Sequence, residues 1–445
     1  MENENPTPAL DEKLRQLQAE VENARRQPGS PQLPASLKRL GQAYLDTGDA
    51  PAALTEFNEA IKLVGPDGDQ ESLAQLVGFK GLALKLIGNY SLAMQAFLRS
   101  NAIAKKLEHA QLACDSYMQI AMLQAEAGKN TEAIATLTKA LDMALKRQDL
   151  GRKMRVCSLM ADNFYSVQAF DKAVDYYVLA YETARDLGNR PAECNFLIRV
   201  ANVFLMEREL TAAIGQYERA LKIASAIEDR VAEISILGGL FRAHALAGNE
   251  QLALVYGSQA VELAGQIKLY EAEIANIKVL ASYLIENNHT VEAIPWLEKG
   301  LKTATELNNL LWQMDLAEKI GYAWFNLENY PLALGYYRDC LNLAERLQDK
   351  ATEGLILGRL GLVQAESGDL PGSTRSAEKS LALAEELENK QLAAEQQIML
   401  AFNHREAGDP QKAADYCRAA IETFEGLGDT VRATEAGSLL AELEG

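Results

Sequence analysis

The chain has 445 residues, of which 44 are basic and 62 acidic, and its net charge at neutral pH is −18. This balance argues against a nucleic-acid partner, which would need a basic stripe, and against docking on an anionic membrane surface. Residues 1–8 lack the features of a signal peptide, and no stretch is apolar enough to cross a bilayer. Five cysteines without paired spacing predict free thiols. We therefore expect a cytoplasmic protein with no membrane insertion.

A forty-residue period runs through almost the whole sequence. We number its positions by columns, so that column 48 is residue 48 and every fortieth residue after it. Column 48 is Gly in six of ten repeats, and column 53 is Ala in nine of ten, with Ser373 as the exception. A period of this size indicates a stacked-repeat solenoid, which offers a long binding surface rather than one deep pocket.

The elements follow in chain order. Residues 1–8 are expected to be disordered, and residues 9–30 form an N-terminal capping helix and a turn, with Leu14, Leu17 and Val21 at helical spacing. Residues 31–430 form ten repeats of a helix A, with core columns 37, 40 and 41, and a helix B, with core columns 53, 57, 60 and 64. Residues 431–445 form a C-terminal capping helix. The prediction is an all-α solenoid of about 22 helices, with no linker and so no second domain inside 31–445.

The columns also predict the packing and the turns. Columns 41 and 60 carry mostly small residues, so the two helices of a repeat are expected to approach closely. The bulky residues of columns 40 and 57 should then fill the space beside the contact. Gly at column 48 can end helix A in the left-handed conformation. Column 69 is expected to cap the next helix A, because it is Asp or Asn in eight repeats: Asp69, Asp149, Asn189, Asp229, Asn309, Asp349, Asn389 and Asp429.

Small residues at column 41, Ala at 53, aromatics at 57 and Ala at 60 resemble the tetratricopeptide repeat pattern, as do turns such as Gly48-Asp49 and Gly408-Asp409. The usual repeat has 34 residues. The forty-residue form resembles that of kinesin light chains, spindle-orientation adaptors and bacterial receptors for signalling peptides. The resemblance implies a right-handed superhelix whose concave groove, lined by the A helices, receives a peptide or a helix of a partner protein.

The groove should be lined by columns 35, 38, 39, 42, 45 and 46. Its middle is polar, and Asn195, Arg199 and Asn202 share one stripe of a helix. Asn can bond a peptide backbone and Arg can bind a carboxylate, although solvated side chains would give the same pattern. The candidate partner-binding residues are Arg155, Asp162, Asn195, Arg199, Asn202 and Arg242. Secondary apolar patches lie towards the two ends, at Phe79, Leu82 and Leu86 and at Ile398, Met399 and Phe402.

Three further features have alternative interpretations. Gly238-Gly239 could leave room for a ligand backbone or pack closely on Phe241, and packing is favoured. The aromatics of column 56 favour packing between repeats over binding: Tyr176, Tyr256, Trp296, Tyr336 and Tyr416. Lys38 and Gln42 match two positions of the family's carboxylate clamp, but Phe79 stands where the clamp has Asn, so binding of chaperone tails is not expected.

No motif indicates catalysis. The sequence has no HExxH motif, no Cys/His cluster with metal-ligand spacing and no Gly-rich phosphate loop after a strand. We expect no enzyme activity, no metal and no cofactor. The favoured function is a protein–protein interaction scaffold or adaptor. The alternative is a peptide-responsive regulator whose superhelix changes pitch on binding and alters its contact with an effector protein. Self-association stays open.

Overall fold

The computed structural model describes residues 8–27 and 30–444. Residues 1–7 of the expected disordered N-terminus, and Pro28 and Gly29 of the predicted turn, lie outside the described residues. Within the described ranges every regular element is an α-helix, and there are 22 of them. Unit 1, defined below, holds α1 Pro8–Arg25, α2 Leu33–Asp46, α3 Ala50–Val64, α4 Gln70–Leu86, α5 Tyr90–Lys106, α6 Ala110–Glu126, α7 Asn130–Lys146, α8 Leu150–Ser166, α9 Phe170–Asp186, α10 Arg190–Met206, α11 Leu210–Ala226 and α12 Arg230–Leu246. Unit 2 holds α13 Glu250–Gln266, α14 Tyr270–Glu286, α15 Thr290–Glu306, α16 Leu310–Asn326, α17 Tyr330–Leu347, α18 Lys350–Glu366, α19 Leu370–Glu386, α20 Lys390–Glu406, α21 Pro410–Gly426 and α22 Thr430–Glu444.

The chain divides into two compact units, Met1–Asn249 and Glu250–Gly445. In each unit every helix packs on its neighbours in sequence, so the predicted all-α solenoid of helix hairpins is confirmed. The units differ in charge. Each has 31 acidic residues, but unit 1 has 28 basic residues and unit 2 only 16, so the net charges are −3 and −15.

The forty-residue period consists of two helices, typically of 17 residues, each followed by a three-residue turn. The middle residue of most turns is left-handed, including positions where Gly is replaced: Gln168 has φ 59°, Arg208 has φ 61° and Glu328 has φ 57°. Gly48 and Gly88 have φ 80° and 85°. The turn geometry is therefore kept even where the residue type does not favour it.

Replacing Gln168 or Arg208 by Gly is expected to stabilise the protein by about 1 kcal/mol each, because left-handed backbone costs a non-glycine residue about that much. Urea unfolding followed by circular dichroism measures the change in the free energy of unfolding. The reverse substitution Gly88→Ala is expected to destabilise by a similar amount. If Gly88→Ala left the stability unchanged, the turn account would be wrong.

The capping prediction for column 69 is confirmed at all eight positions. In each case the side-chain oxygen accepts a hydrogen bond from the backbone N–H three residues later, as when Asp149 accepts from Arg152 at 3.0 Å. The same bond is made by the other members of the column, namely Asp69, Asn189, Asp229, Asn309, Asp349, Asn389 and Asp429. These bonds satisfy backbone donors that a helix start leaves unpaired.

The aspartate caps make stability depend on acid pH. The backbone N–H and then the guanidinium of Arg152 lower the pKa of Asp149, and the hydroxyl and then the backbone N–H of Thr352 lower that of Asp349. Because the folded pKa lies below the unfolded one, this stabilisation is present above about pH 4 and is lost as the pH falls through the folded pKa. In acid titrations of the free energy of unfolding, Asp149→Asn/Asp349→Asn should flatten the decline seen in the wild type. An equally steep decline would exclude the caps as its source.

The small columns pack as predicted. A Cβ atom on Gly41 would lie 2.5 Å from the Phe57 ring, and one on Gly81 would lie 2.6 Å from the Phe97 ring. The alanines of column 53 have no exposed surface. Close approach of helices A and B therefore depends on residues without bulk at these positions.

The aromatics of column 56 pack between repeats as predicted, since Tyr176 packs on a core cluster that includes Leu137 of the preceding repeat and the Tyr336 hydroxyl donates to Glu298 at 3.5 Å. They also pack on helix A of their own repeat. Tyr176 stacks on Phe164 with ring centroids 5.4 Å apart, and Tyr416 stacks on His404 at 5.6 Å. Close packing, as predicted, also explains the glycine at position 239 in the Gly238-Gly239 step. The neighbour that requires Gly239 is Tyr217, however, and not the expected Phe241. Gly239 lies against the Tyr217 ring, where an added Cβ would be 2.4 Å away.

Candidate partner-binding groove

The A helices form the inner face of unit 1. The closest approaches between helices two apart in sequence are between A helices, such as α2 with α4, α4 with α6 and α6 with α8. Helices that approach each other most closely along a stack lie on its inner side. Residues of columns 35, 38, 39 and 42 lie on this face, and several of them line the cavities described next, among them Lys38, Phe79 and Asp115.

A cavity of about 440 Å³ opens on the inner face between α2, α4, α6 and α8. Its apolar lining consists of the half-buried Phe79 and Leu82 and of Met118, which is only 5% exposed. Its floor is made of small residues, with Ser100 and Ser116 buried and hydrogen bonded to each other at 3.2 Å. Small residues on the floor make the depression, and bulky apolar residues on its walls give it a surface that a ligand side chain can cover.

Two cations border this cavity. Lys38 donates to the side chain of Gln75 at 2.8 Å. Arg155 is 59% exposed, and its nearest acid, Asp115, lies 3.7 Å away. Asp115 is already held by Arg152, whose guanidinium donates to both carboxylate oxygens at 2.9 and 2.7 Å. Arg155 therefore makes only a weak ion pair and can bind a further carboxylate.

A second cavity of about 740 Å³ continues the groove towards the N-terminal end of unit 1. The two cavities share four lining residues, Gln42, Phe79, Leu82 and Gln119. Leu86 lines the second cavity and is 62% exposed. The apolar residues predicted at this end thus lie along one continuous groove, together with Arg155 of the predicted polar middle.

The polar middle contains a cluster whose members bind each other. Asp162 forms an ion pair with Arg199 at 2.6 Å and accepts a hydrogen bond from the Tyr177 hydroxyl. Arg199 also donates to Asn195 at 2.9 Å and lies over the Tyr177 ring. Burial and the hydrogen bond to Asp162 raise the pKa of Tyr177, so its hydroxyl stays protonated and remains a donor. Asp162, Asn195 and Arg199 are thus brought together, but much of their bonding capacity is used internally.

The last two candidates of the middle make their hydrogen bonds outside this cluster. Asn202 accepts a hydrogen bond from the buried Tyr217 hydroxyl at 2.5 Å. Arg242 is exposed, and its Nε donates to the carbonyl of Gly238 at 3.4 Å on its own helix. The six candidates therefore do not form one continuous ladder.

The apolar residues predicted near the C-terminal end belong to unit 2. Ile398 packs against the buried Phe424, and Met399 is half-buried. Phe402 is 43% exposed. Only Phe402 of this trio offers a large accessible surface to a partner.

Sequence reasoning missed the contribution of α6. Asp115, Met118 and Gln119 line the first cavity and occupy columns 35, 38 and 39. These are groove columns, so reading them in the third repeat as well as its neighbours would have found all three.

The cysteines are placed as structural residues. Burial raises the pKa of Cys114 and Cys157 to about 11, so both thiols are protonated at neutral pH. In the described part of the chain no group of three or more His, Cys, Asp or Glu side chains could hold a metal ion. Nor does any helix there combine the length and the apolarity needed to cross a bilayer.

Comparisons with known proteins agree with this fold. A family model described as "Tetratricopeptide repeat" matches residues 115–147. Tetratricopeptide repeat protein 29 of Trypanosoma brucei brucei is 21% identical over 254 residues, which is 55% of this chain and 52% of that protein. The chain thus spans about half the length of this curated relative.

Two solved structures show further similarity. One is the signal transduction ATPase with numerous domains and a tetratricopeptide repeat sensor from Pyrococcus horikoshii, with a TM-score of 0.50 and 14% identity, covering 91% of this chain and 55% of that chain. Another is a kinesin light chain-like repeat protein of Podosopora anserina, with a TM-score of 0.38 and 14% identity, covering 43% of this chain and 95% of that one. At this identity the first similarity supports the fold alone. Together with the helix hairpins and the repeat matched at residues 115–147, it supports an all-α solenoid of tetratricopeptide-like repeats as the fold of this chain.

Proposed function

We propose that the protein is an interaction scaffold that binds a peptide or helix of a partner protein in the groove of unit 1. The observation that supports this most directly is the 440 Å³ cavity on the inner face, where apolar walls stand beside two cations. An apolar side chain of the partner would cover Phe79 and Leu82, the half-buried apolar residues of the cavity. A carboxylate of the partner would bind Arg155 and Lys38.

The charges of this face support an acidic segment as the ligand. Among the groove columns of α2 to α12, six residues are basic and four acidic, although the whole chain carries −18. The basic residues are Lys38, Arg39, Lys85, Arg155, Arg199 and Arg242, and the acidic ones are Asp46, Asp115, Glu126 and Asp162. Opposite charge across a groove steers a partner to it and fixes its register.

The proposed contacts divide the predicted site into two parts. Arg155 and the apolar residues at 79, 82 and 86 bind the partner directly. Asp162, Asn195, Arg199 and Asn202 extend the polar surface along the groove, and their internal hydrogen bonds hold its shape. This scaffold role includes no chemical step.

The test is affinity capture from native lysate with the wild type and with Lys38→Glu/Arg155→Glu, followed by binding of a synthetic peptide from the captured partner. Reversing both charges is expected to lower the affinity for that peptide by at least tenfold, because a carboxylate of the peptide loses two attractive contacts and is repelled instead. Arg199→Glu/Arg242→Glu should weaken binding less. Circular dichroism verifies that each variant is folded.

The matched control is Lys105→Glu/Lys139→Glu, which makes the same charge change on exposed residues of the B helices α5 and α7. Equal binding by the wild type and by Lys38→Glu/Arg155→Glu would exclude the groove of unit 1. Small-angle scattering with the peptide distinguishes a scaffold from a peptide-responsive regulator whose superhelix changes pitch on binding. An unchanged radius of gyration supports the scaffold, whereas a change supports the regulator.

A further inference from the structure

Unit 2 carries an exposed apolar stripe along its A helices. Column 42 there contains Tyr322 on α16, Leu362 on α18 and Phe402 on α20. Their exposed fractions are 43%, 39% and 43%. The arginines that lie over the two aromatic rings are themselves paired with acids, Arg359 with Glu318 and Arg405 with Glu406. Three large apolar residues therefore recur at one column of successive repeats, and each keeps more than a third of its surface exposed.

An acidic row runs beside this stripe, one helical turn further along each A helix. Column 46 contains Glu286, Glu366 and Glu406, with Asn326 at the equivalent position of α16, and all four residues are exposed. Among the described residues, neither Glu286 nor Glu366 forms an ion pair, whereas Glu406 pairs with Arg405 at 3.0 Å. Glu286 also borders a cavity of about 300 Å³ that includes Tyr322. The row and the stripe therefore form one amphipathic strip.

The same columns in unit 1 have a different character. Column 42 there is mixed, with Gln42, Leu82, Met122, Asp162, Asn202 and Arg242. Column 46 there contains only two acids, Asp46 and Glu126, and Glu126 is paired with Lys85 at 2.6 Å. The amphipathic strip is thus specific to unit 2, which also carries most of the net charge.

The spacing of the strip fits a helix. In unit 2, α14 contacts α16 and α18 contacts α20, and the axes of packed helices lie roughly 8–10 Å apart, which sets the scale for the spacing of equivalent residues such as Leu362 and Phe402. Seven residues of an α-helix rise about 10 Å and return to nearly the same face. In an extended strand a similar distance is three residues, which places side chains on opposite faces. Apolar residues seven apart on a helix can therefore follow the stripe.

We propose that the amphipathic strip of unit 2 binds a basic amphipathic helix of a partner protein. The apolar face of that helix packs on Tyr322, Leu362 and Phe402. Its Lys or Arg residues pair with Glu286 and Glu366, which have no cation of their own in the described structure. The net charge of −15 on unit 2 attracts such a helix and repels an acidic one. This site lies in a different unit from the groove proposed above and does not depend on it.

The test uses the full chain and a fluorescein-labelled Leu/Lys peptide of about eighteen residues, long enough to span about 27 Å as a helix. Its leucines share one helical face, and fluorescence anisotropy gives its Kd. A scrambled peptide of the same composition has no apolar face, and a third peptide carries Glu in place of Lys. The amphipathic Leu/Lys peptide is expected to bind at least tenfold more tightly than either comparison peptide.

Two pairs of variants locate the binding. Leu362→Ser/Phe402→Ser should weaken the Leu/Lys peptide at least tenfold, while Val291→Ser/Leu332→Ser, on exposed positions of α15 and α17, should not. Glu286→Gln/Glu366→Gln should weaken it about threefold and reduce its salt dependence, while Glu345→Gln/Glu385→Gln on the B helices should not. Equal binding of the scrambled peptide, or equal effects of a variant and its control, would show attraction to acidic surface in general and overturn the proposal.

Discussion

Replacing Asp162 by Ala is expected to lower the free energy of unfolding by about 2–3 kcal/mol. Asp162 accepts the hydrogen bond of the Tyr177 hydroxyl and forms the ion pair with Arg199. Tyr177 is only 4% exposed, so without Asp162 its hydroxyl loses its acceptor inside the protein. Leaving a buried polar group unpaired costs about 1–3 kcal/mol, and loss of the ion pair, whose side chains are 41% and 39% exposed, adds no more than about 1 kcal/mol. Urea unfolding followed by circular dichroism gives the difference.

Two comparisons test the cause of this loss. Asp142→Ala removes an exposed ion pair, between Asp142 and Lys146 at 2.7 Å, and should cost no more than about 0.5 kcal/mol. Adding Tyr177→Phe to Asp162→Ala should recover part of the stability, because the unpaired hydroxyl is then absent. A double variant less stable than Asp162→Ala alone would contradict the role given to this hydrogen bond.

The substitution Gly239→Ala is expected to destabilise the protein by about 2 kcal/mol, although Ala favours helices by about 1 kcal/mol over Gly. The added Cβ would lie 2.4 Å from the ring of Tyr217, which is fully buried and held by its hydrogen bond to Asn202. The ring cannot move aside without disturbing the contact between α11 and α12, and overpacking of this kind costs about 1–3 kcal/mol beyond the helix gain. Thermal and urea unfolding measure the effect.

Gly215→Ala is the matched control for this prediction. Gly215 is also inside a helix, α11, but no atom lies within 4 Å of the position its Cβ would take. The same substitution there should stabilise the protein by up to about 1 kcal/mol. If both variants were stabilised alike, the claim that Tyr217 leaves no room for a side chain at position 239 would be contradicted.

The local features of the fold could be predicted from sequence because they depend on neighbouring residues. Asp149 and Asp349 cap helices through bonds to residues three positions away, and the small residues Gly41 and Gly81 oppose Phe57 and Phe97 within one repeat. The left-handed turns at Gln168 and Arg208 were less evident, since their side chains do not favour that conformation. At these two positions the constant helix length of 17 residues and the three-residue connection impose the left-handed turn.

The candidate site was harder to predict because it depends on contacts between repeats. Asp162 binds Arg199 and Asp115 binds Arg152, each across 37 residues, and Lys38 binds Gln75 at the same separation. Columns interpreted one repeat at a time do not show these pairs. As a result Asp162 and Arg199 were treated as free for a ligand, although they bind each other. Comparing residues 37 positions apart would have found the pairing.

The groove of unit 1 can be tested most directly by photo-crosslinking from a single position within it. A benzophenone amino acid at Gln119, which lines both cavities, is compared in native lysate with the same group at Lys139 on the B helix α7. If the groove of unit 1 binds the partner, that partner is crosslinked from position 119 but not from 139, and the crosslink is lost when Lys38→Glu/Arg155→Glu is added. A partner that crosslinks equally from both positions, or whose crosslink at 119 survives the charge reversal, would contradict binding in this groove.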